Sequence, residues 1–106
     1  MTNSSYLNFL ESSKRIWLGV SSNGKAILEM VMRSMDKPLR VQDIICNSAI
    51  ASQATLHKEL GLLVKEGYIV LKTSKHDRRI KYVTLTNRGN KLFDQLNNLL
   101  NKAVNQ

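Results

Sequence analysis

Residues 52–89 read SQATLHKELGLLVKEGYIVLKTSKHDRRIKYVTLTNRG. Within this stretch the hydrophobic period changes. Leu56, Leu60, Leu63 and Val64 recur at spacings of three and four, which predicts one buried stripe of an α-helix. Residues 68–73 and 80–85 are instead rich in β-branched and aromatic side chains, which predicts two strands. Between the strands lies Ser74-Lys75-His76-Asp77-Arg78-Arg79, a polar and basic tip, so the pair reads as a hairpin. Ser52 stands where a side-chain oxygen would cap the helix. Gly67 stands where it would stop. Thr86 stands where the next helix needs a cap.

The pattern extends in both directions. Residues 41–46 read as a short helix with Val41, Ile44 and Ile45 inward, and residues 47–51 as a turn. Leu39 and Arg40 read as briefly extended. Asp36-Lys37-Pro38 closes an earlier helix, because the residue before proline avoids helical geometry. That helix is capped by Ser22 or Asn23 and sets Ile27, Leu28, Val31, Met32 and Met35 on one face. Before it, Tyr6, Leu7, Phe9, Leu10, Ile16, Trp17 and Val20 follow helical spacing until Gly19 and Ser21-Ser22 break it. After the hairpin, Leu92, Phe93, Leu96, Leu99, Leu100 and Ala103 mark a last helix. The predicted order is α-α-α-α-β-β-α with a short strand near Leu39. This is a mainly α (α+β) winged helix-turn-helix in a single domain, 1–106. It comprises an N-terminal helix (1–21), a central lobe (39–85) with its wing at 68–85, and a C-terminal helix (86–106).

Charge narrows the function. The 106 residues carry 16 Lys and Arg against 8 Asp and Glu, a formal +8. Nine of the basic residues and three of the acidic ones fall between 52 and 91, so +6 of that charge sits in this segment. Such a balance selects acidic partners, nucleic acid before membrane. A single cysteine excludes an internal disulfide framework and fits a reducing compartment. The N-terminus lacks the basic start and apolar run of a secretory signal, and no stretch approaches the ~20 apolar residues of a membrane span. The expected location is the cytoplasm.

A short helix, a turn, a longer helix and a basic hairpin suit double-stranded DNA. The longer helix fits the major groove, braced by the shorter one. With Leu56, Leu60 and Leu63 buried, Gln53, Ala54, His57, Lys58 and Gly61 turn outward. Ser52 caps the helix, whose free N–H groups suit a phosphate. Gln53 pairs with an adenine edge, and Ala54 or the Thr55 methyl meets a thymine methyl. Lys58 takes a phosphate or a guanine, and His57 donates or accepts. Lys75, His76, Arg78 and Arg79 carry the hairpin tip to phosphates or the minor groove.

From Leu39 to Leu92 the chain resembles the DNA-binding lobe of the MarR family of bacterial regulators. SQATLHKELGLLVKEGYIV is similar to that family's recognition helix and entry into the wing. KHDRRIKYVTLTNRG carries its Asp-x-Arg unit (Asp77, Arg79), then Leu85-Thr86, then Gly89. The resemblance implies that Arg79 enters the minor groove while Asp77 holds it by a charge-assisted bond. A narrow minor groove concentrates negative potential and attracts arginine. Two departures are visible. The helices flanking the lobe are shorter than the family's entwining arms, and Arg40 stands where a Ser or Thr would start the short helix.

The expected role is transcriptional regulation, most simply repression, by a homodimer. Replication or plasmid and phage maintenance, and a protein-interaction module, are the rival uses of the fold. No nucleophile–base pair, glycine-rich phosphate loop or carboxylate dyad points to an enzyme. His57 and His76 lie on different elements, so neither a metal nor another cofactor is expected, and no effector is identified. Cys46, beside Ile44 and Ile45, reads as a small buried thiol, and Met30, Met32 and Met35 as core filler. Tyr6, Phe9 and Trp17 are expected both to cover the core and to face a second subunit. The stripe Leu92, Leu96, Leu99, Ala103 suits either a seam between two copies or packing on the chain's own first helix.

Overall fold

The computed structural model describes residues 3–105. Residues 1–2 and 106 of the expected terminal helices lie outside them. The elements are α1 (Asn3–Ile16), α2 (Ser22–Arg33), β1 (Leu39–Arg40), α3 (Val41–Ile45), α4 (Gln53–Lys65), β2 (Ile69–Thr73), β3 (Lys81–Leu85) and α5 (Asn87–Val104). The expected order holds, short strand included. The three strands form an antiparallel sheet in the order β1-β3-β2. Leu39 faces Val83, which faces Leu71, and Arg40 faces Tyr82, which faces Lys72. Since side chains alternate across a sheet, the first row turns inward and the second outward.

The core gathers where α2, α3, α4 and the inner sheet face meet. Ile27, Leu28, Ile44 and Leu56 are wholly buried, and Ile69 and Val83 nearly so. Burying each such side chain stabilises the fold by roughly 1.5–3 kcal/mol. Gly67, at φ 81°, ends α4 in a left-handed conformation that suits glycine. Gly19, at φ 85°, turns the chain from α1 toward α2.

Outside this lobe, α1 packs along α5. Trp17 meets Phe93 edge to face at 5.9 Å between ring centroids. Ser5, Ser13 and Ala103 are buried in the same region, small side chains that let two helices approach closely. The α5 stripe of Leu92, Leu96, Leu99 and Ala103 is thus spent largely on the chain's own first helix. The pair projects from the lobe. The chain measures 50 × 26 × 21 Å with a radius of gyration of 15.3 Å, against about 13 Å for a compact chain of this length.

Several expectations shift. The α2 cap is Ser21, one residue before the expected pair; its Oγ accepts the Gly24 N–H at 2.9 Å. The helix ends at Arg33, so Met35 lies past its C-cap and is 52% exposed instead of filling the core. Val64 is 37% exposed. It lies about 80° around α4 from Leu56 at 3.6 residues per turn, at the rim of the stripe. Leu100 stands at the same angle from Leu92 and is likewise exposed. Cys46 is exposed too. The short helix ends at Ile45, and Cys46 caps it facing outward, where Gln42 Nε2 donates to its Sγ at 3.2 Å.

Candidate nucleic-acid interface

The exposed face of α4 begins at its cap. Ser52 Oγ accepts the Thr55 N–H at 3.3 Å and donates to Thr55 Oγ1 at 2.9 Å. Thr55 is half-buried, while Gln53, Ala54, His57, Lys58 and Gly61 are exposed, as helical geometry required. Glu59, the one acid in the α4 sequence, is turned aside: its Oε2 accepts from Ser21 Oγ at 2.7 Å. The outward surface of the first two turns therefore carries cation and amide without carboxylate. That contact was not anticipated, since it depends on Ser21 being the α2 cap.

The short helix is started without a Ser or Thr. Asp43 accepts the Arg40 backbone N–H at 3.0 Å and sits 3.5 Å from its guanidinium. This supplies the reciprocal half of a capping box.

The wing tip is built from two local staples. Ser74 Oγ accepts the N–H groups of His76 and Asp77 at 3.2 and 3.4 Å. Asp77 Oδ1 accepts the Arg79 backbone N–H at 3.0 Å and its Nε–H at 3.1 Å, while Oδ2 accepts from Nη2 at 3.0 Å. The pair is a two-pronged carboxylate–guanidinium bond of the geometry that arginine favours. The Arg79 side chain and then its backbone N–H hold the Asp77 carboxyl below the ordinary carboxylate range, and Asp77 raises Arg79 in return. Arg79 nonetheless stays 90% exposed, so it is oriented but not covered. Lys75, His76 and Arg78 are exposed on the same loop.

A groove of about 480 Å³ runs between α4 and the wing. His57 and Arg79 both line it, joined by Arg40, Lys81, Val64 and Leu71. Ser52, Gln53, Ala54, Thr55, Lys58, Lys75, His76 and Arg78 do not, and lie on the helix or loop surfaces beside it. Arg40 and Lys81 line the groove and were not among the expected site residues. The alternation of β3 could have indicated Lys81, which shares the inner side with Val83. Among the described residues no group of three or more His, Cys, Asp and Glu is placed to hold a metal ion. No helix among them is long and apolar enough to cross a membrane.

The joint behind the interface explains the Leu-Thr-x-x-Gly spacing. Thr86 Oγ1 donates to the Gly67 carbonyl and accepts the Gly89 N–H at 3.2 Å. The Thr86 N–H donates to the Tyr68 carbonyl at 3.1 Å. A Cβ on Gly89 would lie 2.4 Å from that same carbonyl oxygen. Arg88 covers the Tyr68 ring at 4.5 Å and donates to the Glu66 carbonyl. The start of α5 is thereby fixed to the turn that leaves α4.

No protein-family model matches the sequence, and no curated protein does. Solved structures do. A transcriptional regulator from Thermotoga maritima is 15% identical with a TM-score of 0.76, over 94% of this chain and 69% of that one. MepR of S. aureus, in complex with DNA, is 19% identical with a TM-score of 0.67, over 93% of this chain and 75% of that one. YusO of Bacillus subtilis is 18% identical with a TM-score of 0.66, over 95% of this chain and 68% of that one. The likeness establishes the fold, a winged helix, which is the fold that the motifs implied.

Proposed function

We propose that this chain, read over 1–106 as one domain, is a transcriptional regulator that binds double-stranded DNA in the cytoplasm without catalysing a reaction. The observation that carries the reading is the wing. Arg79 is held by Asp77 at three contacts yet left almost fully exposed, beside a recognition helix whose single acid is turned away. α4 lies in the major groove, with Gln53, Ala54 and Thr55 at base edges and Ser52 and Lys58 at phosphates. His57 faces the groove toward the wing. Arg79 enters the minor groove, and Lys75, His76 and Arg78 meet its phosphates. MepR, of the same fold, is found on DNA.

The protein acts as a homodimer and, most simply, as a repressor. Tyr6, Leu7, Leu18 and Val104 are each more than half exposed around the α1–α5 pair, apolar surface that a second copy would cover. Two-fold symmetry would place the recognition helices about 34 Å apart, one turn of DNA. Selection of bound sites from random duplexes tests the reading. Recovery of a palindromic site, bound with steep salt dependence, is the expected result. Absence of any enriched duplex would refute it.

A further inference from the structure

The wing sheet has a second face. Its inner row, Leu39, Val83 and Leu71, packs on the core, and Lys81 looks into the groove beside α4. The outer row pairs Arg40, Tyr82 and Lys72 across all three strands. Neighbouring strands lie about 4.8 Å apart, so two cations flank one phenol within roughly 10 Å. Arg40 and Lys72 are exposed and Tyr82 is half-buried. Beside Tyr82 lies a shallow depression of about 640 Å³, which Lys37 also lines. Its one acid, Asp43, sits 3.5 Å from Arg40, leaving the surface net positive. Lys72 is three residues from Lys75 on the tip, so the row continues the tip's charge backwards along the hairpin by about 10 Å.

We propose that this outer sheet face is a separate phosphate-binding surface that takes the sugar–phosphate backbone of the duplex flanking the wing-tip contact. The inference rests on the DNA-binding reading above. The chemistry is positional: Lys37 and Lys72 neutralise phosphates, with Arg40 at the edge shared with the other groove, the Tyr82 hydroxyl donates to one, and no base edge is read. Arg40 stands at the edge shared with the groove beside α4, while Tyr82 and Lys72 do not line that groove, so the backbone they meet lies outside the segment that α4 and the wing tip occupy. The protein's footprint is thus wider than its base contacts.

The full chain is titrated at several salt concentrations with two duplexes. One is the selected site trimmed to its enriched positions, and the other is the same site extended by about ten base pairs of arbitrary sequence at each end. The wild type should bind the long duplex more tightly, with a log–log salt slope steeper by about two, near 0.9 per phosphate contact. The Lys37→Ala/Lys72→Ala pair, which spares Arg40 in the groove beside α4, should lose that difference, roughly tenfold or more in affinity at 0.1 M salt, while binding the short duplex and melting as the wild type does. Tyr82→Phe should lose a smaller part of it. If the pair weakens both duplexes alike, or binds the long one as the wild type does, the outer face has another role and the inference is wrong. If the wild type binds neither duplex, the DNA-binding reading falls first and takes this one with it.

Discussion

The winged lobe and the α1–α5 pair are built on opposite economies. In the lobe, the largest side chains point inward, with Ile27, Leu28, Ile44 and Leu56 wholly buried, and short polar staples set the loops. In the helix pair, buried Ser5, Ser13 and Ala103 meet beside the Trp17–Phe93 contact, while Tyr6, Leu7 and Val104, with Leu18 just past α1, face out. The lobe is stabilised by what it covers within one chain. The helix pair leaves apolar surface for something else to cover. One chain thus separates a self-sufficient lobe from an arm suited to company.

The sharpest way to break that contrast is to truncate one apolar residue in each region. Leu56→Ala should cost about 2–5 kcal/mol, the transfer and cavity terms together, read as a shift in urea midpoint. Leu18→Ala, at a residue 82% exposed, should change the stability of the isolated chain by less than about 0.5 kcal/mol. The Leu7→Ala/Leu18→Ala pair should weaken self-association in sedimentation. Equal destabilisation by Leu56→Ala and Leu18→Ala would show that the arm is as closed as the lobe.

Gly89 tests the joint between the regions. Helix propensity alone predicts that Gly89→Ala stabilises α5 by about 1 kcal/mol. Packing predicts the reverse, because the new Cβ meets the Tyr68 carbonyl oxygen at 2.4 Å and Leu85 Cδ2 at 2.9 Å. Backbone cannot swing aside as a side chain can, so packing should win with a net loss of about 1–3 kcal/mol, measured by thermal unfolding.

The lobe was the more legible of the two regions because its signals are local. Ser52, Gly67 and Thr86 act within a few residues of themselves, and the Asp77–Arg79 pair spans two. The inward stripes of α4 and α5 were legible near their centres and not at their rims, where Val64 and Leu100 face out. Position around a helix gives an angle, and the breadth of the neighbouring element decides whether that angle is covered. Cys46 and Met35 failed for a related reason: each lies just beyond a helix end, where neither adjacency to a buried pair, used for Cys46, nor helical periodicity, used for Met35, fixes which way a side chain faces. Ser21–Glu59 joins residues far apart in the chain and leaves no local trace in either segment.

At the wing tip the effects are smaller and fall on affinity. Arg79→Ala should weaken DNA binding by about 1–3 kcal/mol, the range of one well-placed groove contact, with stability changed by under ~0.5 kcal/mol. Asp77→Ala should weaken binding less. An acid that merely repels phosphate would give the opposite sign, whereas an acid that fixes a flexible guanidinium removes an ordering cost before DNA arrives. Tighter binding by Asp77→Ala, in titrations at fixed salt, would end the orienting role.

The smallest effect concerns pH. The folded-state pKa of Asp77 is lowered by Arg79, so their pairing contributes fully above the unfolded carboxylate value, near 4. It is lost only as pH falls through the lower folded value. The carboxyl carbon of Asp77, followed by NMR, should titrate below an ordinary aspartate and move upward in Arg79→Ala. An unchanged midpoint in that variant would place the cause elsewhere.

Ser21 links α2 to α4 through a single oxygen. It accepts the Gly24 N–H and donates to Glu59, and a Cβ on Gly24 would already touch that oxygen at 3.2 Å and Leu63 at 3.5 Å. Neither helix can slide along the other without uncapping α2 or freeing a carboxylate. A freed Glu59 would bring negative charge to the helix proposed to face phosphates. The hydroxyl therefore behaves as a detent: it indexes the pitch of α4 to the point where the chain leaves the arm, and any slip is registered as charge on the exposed face of α4.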